Sequence, residues 1–125
     1  MTKTMKRVKF FKDISLLITQ LSNEGIEMMP FSFYRTKEEQ MMRFKEGKSK
    51  TLHSKHCDWL AIDLVLVENG KLQWERNSKY ERAGALARTL GLTWGGDWKD
   101  LNDIYHFEFS LKGTTQPDFK TRPFL

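Results

Sequence analysis

Cysteine is almost absent from this chain. Cys57 is the only one in 125 residues, so no internal disulfide can staple the fold, which suits synthesis in a reducing cytoplasm. Long apolar runs are missing as well. The longest, Leu60 to Val67, is broken by Asp63 and falls well short of the ~20 residues that span a bilayer, so no membrane insertion is expected. The basic start Met1 to Arg7 is followed only by a short amphipathic patch, Ile14 to Ile18, without a small-residue cleavage site, so no signal peptide is read. Internal repeats and low-complexity segments are also absent. Acidic residues are outnumbered, 16 against 21 basic, which leaves a net charge of +5. That surplus favours anionic partners without choosing among nucleic acid, an anionic membrane surface and a cell-wall polymer.

With 39% hydrophobic and 30% charged residues, the chain reads as one soluble domain around a single core, over residues 1–111. A polar tail holding Gly113, Pro117 and Pro123 follows over 112–125. Ile14, Leu17, Ile18 and Leu21 recur at helical spacing, which predicts a helix over Asp13 to Glu24 stopped by Gly25. Glu27 to Tyr34, rich in Met, Phe and Tyr, reads as an edge strand or an extended segment rather than a central strand because of Pro30. Thr36-Lys37-Glu38-Glu39 forms a capping box for a helix from Lys37 to Glu46, and Lys48 to His53 is a polar loop. Leu60 to Val67 should be a strand that turns at Glu68-Asn69-Gly70 and pairs with Lys71 to Trp74. A second capping box, Ser78 to Glu81, opens a helix with Ala83, Leu86, Ala87 and Leu90 along one side, ending at Gly91. Trp94 to Trp98 is a tight loop with at least one tryptophan in the core. His106 to Leu111 alternates, with Phe107, Phe109 and Leu111 inward and His106, Glu108 and Ser110 outward toward a cleft. The expected class is α+β, a small antiparallel sheet with helices packed on one side.

The residues that carry chemistry begin at Ser54-Lys55-His56-Cys57-Asp58-Trp59-Leu60-Ala61-Ile62-Asp63. Asp63 interrupts an apolar strand, where an unpaired carboxylate is costly to bury, and a metal ion or cationic partner would explain it. His56, Asp63 and His106 together make two imidazoles and a carboxylate, the three-ligand zinc set that leaves a position for water and belongs to hydrolases. Asp103, three residues before His106, has the spacing of a general base, and equally that of a residue capping the turn into the strand. Glu108 shares a face with His106 and is either a reserve base or the acceptor that orients the imidazole. Arg35, between an extended run and a capped helix, is placed to polarise a carbonyl or hold a carboxylate. Cys57, on the opposite side of an extended backbone from His56, stays outside the site, and His53 is a loop histidine.

Taken together, Ser54-x-His56-x6-Asp63, then Trp94-Gly95-Gly96-Asp97-Trp98, then Asp103-x-x-His106-Phe107, resembles the D-alanyl-D-alanine carboxypeptidase and L-alanyl-D-glutamate endopeptidase family of zinc peptidases. Within it, the chain is similar to the short single-domain endolysins of phages and prophages, over roughly Phe31 to Leu111. The resemblance implies zinc on His56, Asp63 and His106, Asp103 as acid/base, Arg35 on the developing oxyanion, and Ser54 in support. Many members have Gly where this chain has Trp59, which would reshape the wall beside the metal. It implies a monomeric zinc peptidase on bacterial peptidoglycan, cutting an L-alanyl-D-glutamate bond, made in the host cytoplasm and acting on the wall after release. A D-alanyl-D-alanine carboxypeptidase of the same fold is the alternative. From another class, a non-enzymatic basic module binding nucleic acid or glycan would need a fourth structural ligand that the motif lacks.

Overall fold

The computed structural model describes residues 1–111, so the expected polar tail lies outside the described residues. Helix α1 spans Lys3–Asn23 and begins well before Asp13, because buried Phe10 extends the Ile14, Leu17 and Leu21 stripe back by a turn. Thr2 caps it, its hydroxyl accepting from the Met5 amide, and a buried Lys9–Asp13 ion pair lets two charged residues sit on the inner face. Among the described residues, strand β1, Glu27–Ser32, pairs only with β2, as Pro30 requires of an edge. Helix α2, Lys37–Lys45, opens with the expected capping box, Thr36 accepting from the Glu39 amide while Glu39 reaches back to Thr36.

A 3-10 turn, Lys55–Asp58, leads into β2, Ala61–Glu68. Asn69 and Gly70 both take positive φ, 52° and 74°, the mirror-image turn that matches strand twist, and β3 follows over Lys71–Gln73. Helix α3 covers Ser78–Thr89, but its cap is Asn77 rather than Ser78: the Asn77 side chain accepts from the Lys79 and Tyr80 amides. Strand β4, Thr93–Trp94, runs into a 3-10 turn at Gly95–Asp97, and β5 covers His106–Glu108. The alternating run expected to reach Leu111 ends as a strand at Glu108, opposite Ala61 and Thr93 where β2 and β4 begin, with one further backbone hydrogen bond from the Phe109 amide to the Leu60 carbonyl. Leu111 is exposed.

The sheet is antiparallel in the order β1-β2-β5-β4, with β3 also on β2. Since β1 follows β2 along one edge, β5 and β3 share the other edge, β5 against 61–63 and β3 against 66–68. Strand β2 is therefore central, and Ala61 to Leu66 are all buried, an uninterrupted run rather than an alternation. Helix α1 packs on β1 and α3 on β4, and the two helices touch, giving an α+β layer. Phe10, Leu17, Leu21, Leu64, Leu66, Tyr80 and Phe107 are fully buried, each stabilising by about 1.5–3 kcal/mol. The Tyr80 hydroxyl accepts from the Leu66 amide and donates to the Gln73 carbonyl, tying α3 to the hairpin. Among the described residues no helix is long and apolar enough to cross a membrane.

Candidate metal centre

Strand register delivers two members of the predicted set. Asp63 on β2 is the direct antiparallel partner of His106 on β5, so both side chains leave the same face of the sheet. The third arrives on the 3-10 turn, whose start is capped by Ser54 accepting from the His56 amide at 3.2 Å. Arg7 on α1 holds the end of this turn by donating to the Asp58 carbonyl. The ligand atoms of His56, Asp63 and His106 all lie within 4.8 Å of one another and could hold a metal ion.

Each imidazole is anchored by one nitrogen and aims the other at Asp63. His56 donates from Nδ1 to the Phe33 carbonyl at 2.7 Å, which leaves Nε2 3.4 Å from Asp63 Oδ2. His106 donates from Nε2 to Glu108 Oε1 at 2.7 Å, which leaves Nδ1 3.3 Å from Asp63 Oδ1. Glu108 is itself held by Lys55 Nζ at 2.6 Å. Asp63 Oδ1 is buried and has no hydrogen-bond partner, a costly state for a carboxylate oxygen that a cation between the two nitrogens would relieve. The donor set and this orphaned oxygen fit a metal of zinc type. His106 lies on the outward face of β5 as alternation requires, yet it is only 7% exposed, so it belongs to the floor of the cleft rather than its open side.

Electrostatics distinguish the acidic groups. Burial would raise Asp63, but His106 and His56 beside it outweigh burial and hold its carboxyl well below the usual carboxylate range. Burial would lower His106, but Asp63 and then Glu108 push it up to about 9. Glu108 is lowered by His106 and Lys55 against its own burial. Asp103 goes the other way: burial and then the Asp63 charge raise it, which makes it a stronger proton acceptor than an ordinary carboxylate. Asp103 Oδ1 accepts from the Tyr105 amide at 3.2 Å, so the residue also shapes the turn into β5; base spacing and capping are compatible.

These residues line one cleft of about 890 Å³. Arg35, Arg43, Lys48, Lys50 and Lys55 supply a basic margin beside Ser54 and His53, while Trp98, Leu101, Asn102, Asp103 and Tyr105 come from the segment before β5. Arg35 is half-buried, its backbone N–H donating to the His56 carbonyl and its guanidinium to Gln40. Burial, and then the Arg43 charge, lower its pKa. The tryptophans divide: Trp94 is buried and donates to the Ile104 carbonyl, whereas Trp98 reaches the cleft with its ring 4.9 Å from that of His106. Trp59 is not among the cleft-lining residues. It stacks on Tyr34 at 4.3 Å and meets Phe33 edge-on, behind the turn that carries His56. Cys57 lies on that 3-10 turn rather than on an extended backbone, with its thiol toward the Thr36 carbonyl. His53 pairs with Asp58 at 2.7 Å. Sequence reasoning missed Gln40, Asn102 and Tyr105, none of which carries a spacing signal of its own.

The chain is 34% identical over 99 residues to the L-alanyl-D-glutamate peptidase of a Listeria phage, covering 78% of this chain and 35% of that protein. It is 30% identical over 105 residues to the peptidoglycan L-alanyl-D-glutamate endopeptidase CwlK of Bacillus subtilis, covering 70% of this chain and 63% of that protein. It therefore spans about a third and about two thirds of these relatives' lengths. Among solved structures, the L-Ala D-Glu endopeptidase ChiX of Serratia marcescens matches with a TM-score of 0.61 and 29% identity, over 70% of this chain and 69% of ChiX. The vancomycin-resistance D,D-pentapeptidase VanY, solved with Zn(II), matches with a TM-score of 0.58 over 82% of this chain and 71% of that one; at 18% identity this is a likeness of fold. Residues 47–109, just over half of the chain, match the family described as D-alanyl-D-alanine carboxypeptidase. That span holds His56, Asp63, Asp103 and His106 and leaves Arg35 outside, and the chain belongs to this peptidase family.

Proposed function

We propose that residues 1–111 form a zinc peptidase unit that hydrolyses an amide bond of the peptidoglycan stem peptide, the L-alanyl-D-glutamate link above others. The observation that carries this reading is the buried Asp63 carboxylate between two imidazoles whose far nitrogens are already committed, with its Oδ1 making no hydrogen bond. A three-ligand cluster on the floor of an open cleft leaves room for water and substrate, as a closed structural site does not. The names of the phage, Bacillus and Serratia relatives support the choice of bond.

His56, Asp63 and His106 would hold the ion, with the Phe33 carbonyl and the Glu108–Lys55 pair fixing the orientation of the two imidazoles and Ser54 capping the turn that carries His56. Zinc held in such a set supplies Lewis-acid polarisation of a carbonyl and a lowered pKa for water, toward ~7. Asp103, kept basic by burial and by Asp63, accepts the proton of the attacking water on Oδ2 and returns it to the leaving amine. Arg35, pinned at backbone and side chain, offers N–H donors to the oxygen that becomes negative. The basic margin of Arg43, Lys48 and Lys50 draws an anionic wall polymer toward the cleft, an attraction that salt weakens. In this reading a monomer made in the host cytoplasm acts on the wall after release.

The test is turbidity loss of permeabilised bacterial cells with and without a chelator, followed by mass spectrometry of the released fragments. Chelator-sensitive lysis with cleavage between L-alanine and D-glutamate is expected. Loss of a terminal D-alanine alone would reassign the chain to a carboxypeptidase, and tight nucleic-acid binding without lysis would overturn the enzyme reading.

A further inference from the structure

Gln40 is fully buried and is the only buried residue of α2. Its neighbours Met41, Met42 and Phe44 are exposed, so this helix docks on the fold through one amide rather than through an apolar face. The amide is saturated with donors and acceptors. Its Oε1 accepts from Arg35 Nη1 at 2.8 Å, and its Nε2 donates to Ser49 Oγ at 2.9 Å and to the Thr51 carbonyl at 2.7 Å. A leucine would fill much the same space without desolvating an amide, so burial alone does not account for glutamine here.

We infer that Gln40 is the positioning residue for Arg35, locking the guanidinium into the cleft and tying it to the loop through Ser49 and Thr51. The inference rests on the role proposed above for Arg35. The backbone N–H of Arg35 already donates to the His56 carbonyl, so Gln40 supplies the second anchor at the far end of a long side chain. This anchor has to be neutral. A carboxylate would also accept from Arg35, but it would neutralise the charge needed by substrate and set an oxygen against the Thr51 carbonyl. An amide accepts on one side, donates on the other and leaves Arg35 fully cationic.

The experiment compares Gln40→Leu and Gln40→Met in the unmodified chain and in an Arg35→Ala background, reading zinc content, Tm, kcat and KM on a stem peptide. Either substitution should retain zinc and lower kcat about 10–100-fold with KM changed less than about threefold, the signature of a misplaced transition-state group. In the Arg35→Ala background the same substitutions should cost nothing further, because residues acting as a unit are non-additive. Equal losses in both backgrounds, loss of zinc, or an unchanged kcat would overturn the inference. If Gln40→Leu fails to fold, Gln40→Met, close to glutamine in length and shape, carries the same comparison. Full kcat in Arg35→Ala alone would overturn both the Arg35 role and this inference while chelator-sensitive hydrolysis kept the peptidase reading. A chain that hydrolyses no stem peptide would sink all three.

Discussion

Gly95 and Asp103 are in direct backbone contact: the Asp103 amide donates to the Gly95 carbonyl at 3.1 Å, and a Cβ at Gly95 would lie 2.4 Å from the Asp103 carbonyl oxygen and 3.0 Å from His106 Cβ. The absence of a side chain at Gly95 thus lets the loop after β4 close on the segment carrying both the proposed base and a proposed ligand. Gly95→Ala must push backbone rather than a flexible side-chain tip, so a destabilisation of about 1–3 kcal/mol is expected, with lower zinc content and activity. Thermal unfolding and elemental analysis check it. An alanine variant with unchanged Tm and full metal would mean the loop yields freely.

Asp103→Asn keeps an acceptor for the Tyr105 amide and removes the proton-accepting carboxylate. The variant should fold, retain zinc and lose about 10²–10⁴-fold in kcat. His106→Ala should instead lose the metal. Should Asp103→Asn stay active, the acid/base role would pass to Glu108, although that carboxylate is already engaged by His106 and Lys55.

The raised His106 predicts opposite pH responses with and without zinc. Without metal, its pKa of about 9 exceeds the ordinary 6.5, so its contribution to stability is complete below about 6.5 and lost as pH climbs through 9. Tm of the metal-free protein should fall across that window. Metal must displace the His106 proton, so apparent zinc affinity should rise with pH, by up to about tenfold per unit below 9. Melting curves between about pH 6 and about pH 9.5, with and without zinc, test this linkage. A zinc-induced stabilisation larger at the acid end would refute it.

Trp59 sits at φ 64°, the left-handed region that costs a bulky residue about 1–2 kcal/mol and that glycine occupies freely. Its stack on Tyr34 and edge contact with Phe33 offset part of that cost, about 0.5–1.5 kcal/mol for each aromatic pair. Trp59→Gly should therefore leave stability within about 1 kcal/mol, and kcat and KM for a short stem peptide within about twofold. A tenfold shift in KM would show that the ring reaches substrate after all.

Local rules made much of the fold legible. The Thr36–Glu39 capping box, the Asn69-Gly70 hairpin and the edge position of Pro30 each depend on a few adjacent residues, and each is found as expected. The start of α1 was not legible, because Phe10 joins the apolar stripe beyond a buried Lys9–Asp13 pair that reads as surface charge. The α3 cap moved by one residue because Asn77 takes an extended backbone and its side chain reaches two amides.

What the sequence determined by itself is the chemical inventory: two histidines and an aspartate at a zinc spacing, an aspartate beside them, and the helices and strands that carry them. Those features are short-range, written in side-chain type and periodicity. Only the tertiary structure decided that Asp63 faces His106 across a strand pair, that one nitrogen of each imidazole is held by Phe33 and Glu108, and that Gln40 anchors Arg35. It also turned Trp59 away from the cleft. These depend on register and on contacts between distant segments, where burial and hydrogen-bond satisfaction select one arrangement and sequence spacing carries no signal.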